Sequence, residues 1–220
     1  MSGTRRRETN ERIASLRISA IIRTKDQSLA RDAIRAAVDG GFRMVEFTLT
    51  TPGALELIAE FSRDESLLVG AGTVMTPRLV RDVVAAGARF IVSPICDAEV
   101  VNEASAQDVA CIPGAFTPLE METAHRLGAD FVKVFPAPPG GVPYLEAIRG
   151  PLPHLRLFPT AGFTPENFTE FLDAGCAGLG FVKCLFDPAE LAARKLDIIR
   201  QRAEGIFRRL ASWRKNAGAQ

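Results

Sequence analysis

A phrase recurs along this 220-residue chain: an amphipathic helical stretch, a glycine, then a short run rich in β-branched and aromatic residues. Gly40-Gly41, Gly87, Gly128 and Gly175 each stand just before such a run, where a helix C-cap needs a residue that tolerates positive φ. Eight runs can be counted, beginning near Arg17, Arg43, Leu67, Arg89, Val109, Asp130, Leu155 and Cys176. Strands alternating with helices build a parallel sheet, because parallel neighbours need a crossover long enough to hold a helix. Thr76-Pro77, Thr117-Pro118 and Thr164-Pro165 set a capping hydroxyl before a proline, as at helix N-termini. Eight βα units fit an open doubly wound sheet or a closed ring. No GxGxxG follows the first strand and eight is the number that closes, so the expectation is a single (β/α)8 TIM barrel over residues 1–220. Within it, 1–15 read as an N-terminal extension or helix and 188–213 as one long C-terminal helix.

Apolar residues at 47% supply a core, and the balance of 27 Lys+Arg against 26 Asp+Glu lacks the basic field of a nucleic-acid binder. The expected partners are small molecules. Arg5-Arg6-Arg7 and the basic residues around Arg208, Arg209, Arg214 and Lys215 read as solvated tails or helix ends. Cys96, Cys111, Cys176 and Cys184 form no CxxC pair, which points to reduced thiols rather than a zinc site or disulfides. A polar N-terminus and the absence of a run of about 18 apolar residues argue against secretion and a membrane span, so a cytoplasmic location is expected. His125, His154 and Trp213 read as surface or packing residues.

In a barrel, side chains fill the interior and catalytic groups come from the carboxyl ends of strands and the loops after them. Four such ends carry proline, Pro94, Pro113, Pro136 and Pro159, which either lines the mouth or merely ends strand pairing. The sixth run reads Phe131-Val132-Lys133-Val134-Phe135, and its period of two puts Lys133 on the face opposite both valines. A lysine there points into the barrel, or snorkels to water from the strand end. Burial lowers an amine's pKa, and a neutral amine is what attack on a carbonyl requires. In the second run Val45, Phe47 and Leu49 share the helix-facing side, which turns Glu46 and Thr48 inward. A carboxylate and an amine in one interior suit imine chemistry, one moving protons and the other attacking; a structural ion pair is the alternative, at a desolvation cost that apolar packing would avoid.

Val45-Glu46-Phe47-Thr48-Leu49, Gly70-Ala71-Gly72-Thr73-Val74, Ser93-Pro94, Pro113-Gly114, Phe131-Val132-Lys133-Val134-Phe135-Pro136-Ala137 and Pro159-Thr160-Ala161-Gly162 occur in that order. With these stretches the chain resembles the bacterial KDPG/KHG aldolases (2-dehydro-3-deoxy-6-phosphogluconate and 4-hydroxy-2-oxoglutarate aldolases), from about Ile18 to Phe186. The resemblance implies a homotrimeric class I aldolase, without metal or cofactor, that splits a 2-oxo-4-hydroxy acid into pyruvate and an aldehyde. It makes Lys133 the imine-forming lysine and Glu46 the general acid and base, sets Thr73 near the pyruvyl group, and gives Arg23 an anion to bind. Gly162 and Gly180 then match backbone positions at a phosphate end. Thr48, Thr50, Pro94, Pro113, Phe135, Thr160, Ala161 and Phe181 complete the substrate-binding positions expected.

The sequence departs from the family at three places. Thr50 stands where many members carry an arginine for the substrate carboxylate. Gly180-Phe181-Val182-Lys183-Cys184-Leu185 replaces a short glycine-serine turn that grips phosphate, and Lys183 offers a charge there only if it turns inward. Ala161 takes the place of a second glycine. These departures point towards an unphosphorylated or different 2-oxo acid. Two other classes stay open: a barrel that binds a sugar phosphate or oxo acid without turnover, and a phosphate-binding isomerase, which would leave Lys133 and Glu46 without a joint role.

Overall fold

The computed structural model describes residues 3–137 and 140–217. Its strands are β1 Ile18–Ile22, β2 Met44–Thr48, β3 Leu68–Gly72, β4 Phe90–Val92, β5 Ala110–Ile112, β6 Gly114–Ala115, β7 Val132–Val134, β8 Leu157–Pro159 and β9 Leu179–Phe181. The helices are α1 Thr4–Leu16, α2 Gln27–Asp39, α3 Ala54–Phe61, α4 Pro77–Ala85, α5 Ala98–Ala106, α6 Pro118–Arg126, α7 Val142–Arg149, α8 Phe168–Asp173, α9 Pro188–Ala192 and α10 Leu196–Ala217. These nine strand segments make eight staves. β5 and β6 are halves of the fifth stave, parted at Pro113, which has no N–H for the ladder; its carbonyl still accepts the Lys133 amide at 2.9 Å. Parallel pairing runs β5-β4-β3-β2-β1-β9 on one side and β6-β7-β8 on the other. The ring closes where Thr160 bridges Gly180 and the Ala177 amide donates to the Leu157 carbonyl at 2.8 Å.

Alternation along the staves sorts the side chains into two cores. Val45, Phe47, Val69, Ile91, Val132, Val134 and Leu157 face the helices, whereas Met44, Leu68, Phe90, Phe131 and Phe158 fill the interior. Ile13 of α1 joins the interior set, so α1 stoppers the amino end of the barrel. Two of its arginines fix it there, correcting their reading as solvated residues: Arg6 Nε lies 2.8 Å from Asp130 Oδ2, and Arg5 Nη2 donates to the Gln107 carbonyl at 2.6 Å, whereas Arg7 is exposed as expected. Among the described residues, the carboxyl end is the one left open for chemistry.

The boundary glycines behave as expected at Gly41, Gly87, Gly128 and Gly175, whose φ angles run from 82° to 118°; Gly40 keeps helical geometry. Thr76 and Thr117 cap α4 and α6, the latter with a capping box through Glu120. Thr164 does not cap α8. A turn intervenes, with the Phe168 amide bonded to the Thr164 carbonyl at 3.1 Å, and Asn167 becomes the boundary residue. The helix expected over 188–213 is two helices, because Arg194 adopts φ 48° and stops α9 before α10 begins. The expected mouth loop from Pro136 to Pro143 includes Pro138 and Pro139, which lie outside the described residues.

Candidate active site

Pleat and register bring the amine and the carboxylate to one place. Lys133 sits between Gly114 and Phe158, and Glu46 between Ile21 and Gly70, on staves that face each other across the barrel. Both line a cavity of about 790 Å³ at the carboxyl end, and both are buried, at 8% and 2% exposure. Glycine makes room for the acid: a Cβ added to Gly72 would stand 1.9 Å from Glu46 Oε1. On the same face of β3, a Cβ at Gly70 would enter the Phe90 ring at 2.3 Å. The GAG of the third stave therefore serves two interior layers, one for packing and one for Glu46.

Burial sets the protonation of both groups. Desolvation raises the Glu46 pKa to about 7, against the opposing pull of Lys133 and Arg23. The Lys133 pKa is lowered, first by desolvation and also by Arg23, while Glu46 works the other way. The two form no ion pair within 4 Å, and Lys133 Nζ lies 4.7 Å from the centre of the Phe135 ring. An amine whose neutral form is favoured by burial, beside an acid that titrates near neutrality, can attack a carbonyl and move protons in both directions.

Arg23, Thr48, Thr73, Pro94, Phe135, Thr160, Ala161 and Gly162 also line the cavity. Arg23 Nη2 donates to Thr73 Oγ1 at 3.2 Å, placing a cation beside the catalytic end. Four expected substrate contacts do not line it. Thr50 is exposed, and its hydroxyl meets Thr48 Oγ1 at 3.1 Å. Pro113 is buried in the wall behind Lys133. Gly180 faces inward but is covered, since a Cβ there would meet Ile21 Cδ1 at 2.6 Å and Thr160 Oγ1 at 2.9 Å. Phe181 points to the helices and packs edge-on against Phe42, Phe163 and Phe168.

Pro136 lines the mouth, as one of the two readings of the strand-end prolines had it, and Lys183 stands at the rim; Ile21, Ala137, Phe163, Val182, Cys184, Phe186, Pro188 and Leu191 line the cavity without having been among the expected substrate contacts. Ile21 shares the inward parity of Arg23, and Val182 to Phe186 follow the last stave, so both were readable from the rule that loops at this end make the site. Pro188 and Leu191 were hidden by reading α9 as part of a long outer helix.

A closed parallel barrel with a desolvated lysine and a protonatable carboxylate in one cavity defines a class, barrel enzymes equipped for imine chemistry at a carbonyl carbon. The chain belongs to the KDPG and KHG aldolase family, whose sequence profile matches residues 9–201, and is thereby a carbon–carbon lyase. It is 35% identical to the 2-dehydro-3-deoxy-6-phosphogalactonate aldolase of Escherichia coli (strain K12), over 81% of this chain and 89% of that protein. It is also 35% identical to the 2-dehydro-3-deoxy-phosphogluconate aldolase of Pseudoalteromonas atlantica, over 70% of this chain and 74% of that one. A solved KDPG aldolase from Legionella pneumophila, with pyruvate captured at low pH as a covalent carbinolamine intermediate, matches with a TM-score of 0.81 at 29% identity. That match covers 90% of this chain and 97% of the other.

Proposed function

We propose that the protein is a class I aldolase that reversibly splits a 2-oxo-4-hydroxy acid into pyruvate and an aldehyde, with Lys133 as the imine-forming nucleophile and Glu46 as the proton carrier. The observation that carries this reading is the joint burial of Lys133 and Glu46 in one cavity with their pKa values drawn towards neutrality. Neutral Lys133 attacks the C2 carbonyl, and Glu46 in its acid form protonates the departing hydroxyl to give an iminium. Glu46, now a carboxylate, takes the C4 hydroxyl proton, the C3–C4 bond breaks, and its electrons pass into the iminium to leave an enamine. Protonation at C3 and hydrolysis return pyruvate and free Lys133. Arg23, supported by Thr73, serves the substrate carboxylate in place of the arginine that Thr50 does not supply.

Met75, Ile95 and Leu119 expose apolar side chains after the third, fourth and fifth staves, on adjacent units. A homotrimer that covers this side fits the reading. Among the described residues no helix is long and apolar enough to cross a membrane, and a cytoplasmic location belongs to the same proposal. The test of the chemistry is release of pyruvate from 2-oxo-3-deoxy-4-hydroxy acids, with a chelator present. Turnover that falls by about a thousandfold in Lys133→Ala supports the assignment, and turnover that survives the substitution refutes it.

A further inference from the structure

Arg202 lies on α10, behind the wall of the cavity rather than in it, and reaches two segments that do line it. Its Nη1 donates to the Leu185 carbonyl at 2.8 Å and lies 2.7 Å from Glu190 Oε2, while Nη2 donates to Glu190 Oε1 at 2.8 Å. Leu185 belongs to the turn after β9, whose Val182, Cys184 and Phe186 face the cavity, and Glu190 belongs to α9, which contributes Pro188 and Leu191. One guanidinium thus joins both segments to a single helix, in the planar two-pronged geometry that a lysine cannot copy. That helix is a firm base, since Ile199, Ala203 and Ile206 around Arg202 are fully buried.

The other polar ties on this wall are local or exposed. Asp187 caps α9 by accepting from the Ala189 and Glu190 amides, and the Leu185 and Phe186 amides bond to the Val182 carbonyl at 3.1 and 2.8 Å. Each fixes the shape of one segment, not its place. Arg194 ties the end of α9 to Asp32 and Ser28 of α2, but its side chain is half exposed to water, where such pairs hold little. The Arg202 and Glu190 side chains are only 23% and 21% exposed, so losing the guanidinium leaves a carboxylate and a carbonyl unpaired in a mostly covered place. Glu190 then has to turn to water, and nothing equivalent keeps α9 in register with the turn before it.

The pyruvyl half, held by Lys133 and Arg23, leaves the rest of the cavity to the carbons beyond C4. The loop after β8, left-handed at Ala161 and Gly162, bounds that space on one side, and the segment 182–191 bounds it on the other. We propose that Arg202 is a positioning residue for the aldehyde half of the substrate, acting through Leu185 and Glu190 on the wall formed after β9. This rests on the lysine-imine reading of the same cavity. Capture of pyruvate on Lys133 uses the opposite end and is independent of Arg202.

The full chain and its Arg202→Met variant are compared in two assays: borohydride trapping with pyruvate alone, and condensation of saturating pyruvate with D-glyceraldehyde or D-glyceraldehyde 3-phosphate. The expected result is an aldehyde KM about tenfold higher in the variant, with kcat and the rate of pyruvate labelling at Lys133 within about twofold of wild type. Glu190→Gln should raise KM in the same direction, and adding it to Arg202→Met should change little further, since both act through one contact. Should Arg202→Met not fold, Glu190→Gln carries the comparison. An unmoved KM beside normal trapping sinks only this inference. Pyruvate labelling that falls in step with the rise in KM, losses that add in the double variant, or a wild type that captures pyruvate and joins it to neither aldehyde overturn it as well. A wild type that captures no pyruvate sinks the imine reading itself, and this inference with it.

Discussion

Burial holds Glu46 at a pKa of about 7, well above the ordinary 4.5, and the direction of that shift fixes a pH dependence. Between those values the folded protein keeps a proton that the unfolded chain has released. Glu46 therefore contributes stability that is complete below the window and is lost as the pH rises through about 7. Urea midpoints at about pH 5 and about pH 8 should fall more steeply in the wild type than in Glu46→Gln, by at most about 1.4 kcal/mol per pH unit. Equal slopes would mean that the carboxyl is not desolvated. The same substitution should cut turnover about 10²- to 10⁴-fold. Lys133 and Glu46 were legible in the sequence because a period of two leaves a polar residue inside a helix-covered stave nowhere to point but inward. Thr50 and Phe181 do not line the cavity, for different reasons: Phe181 alternates with inward Gly180, whereas Thr50 keeps the inward parity but lies beyond the stave, in solvent.

At the scale of elements, β3 shows how a motif acts. Gly72 carries no function of its own, yet a methyl group there would occupy the space of Glu46 Oε1. Gly72→Ala should displace the carboxylate and lower kcat by about a hundredfold while the thermal midpoint moves little; wild-type activity in that variant would show that Glu46 does not need its present position. The helix-glycine-strand order and the capping threonines of α4 and α6 were readable because each depends on local backbone chemistry. The breaks were not. Pro113 divides a stave whose partner strands still close around it, and the left-handed turn at Arg194, a residue type that does not announce one, frees α9 to bring Leu191 to the cavity.

At the scale of the molecule, eight staves closed at Thr160 and Gly180 and stoppered by α1 leave, among the described residues, the carboxyl end open, where one cavity gathers residues from Ile21 to Leu191. That closure was predictable from the count of βα units, whereas the shape of the cavity depends on loops whose conformation no periodicity encodes. The proposed trimer would cover the exposed Ile95 and Leu119. Light scattering should give a trimer that Leu119→Glu weakens, and a wild-type monomer would remove that part of the account. The central claim is that Lys133 is an uncharged amine which captures a 2-oxo acid beside Glu46. Incubation with pyruvate and borohydride, followed by peptide mass mapping, tests it most directly. One reduced pyruvyl group on the Lys133 peptide, formed slowly in Glu46→Gln, is the predicted result; an unmodified Lys133, or labelling spread over surface lysines, would contradict it.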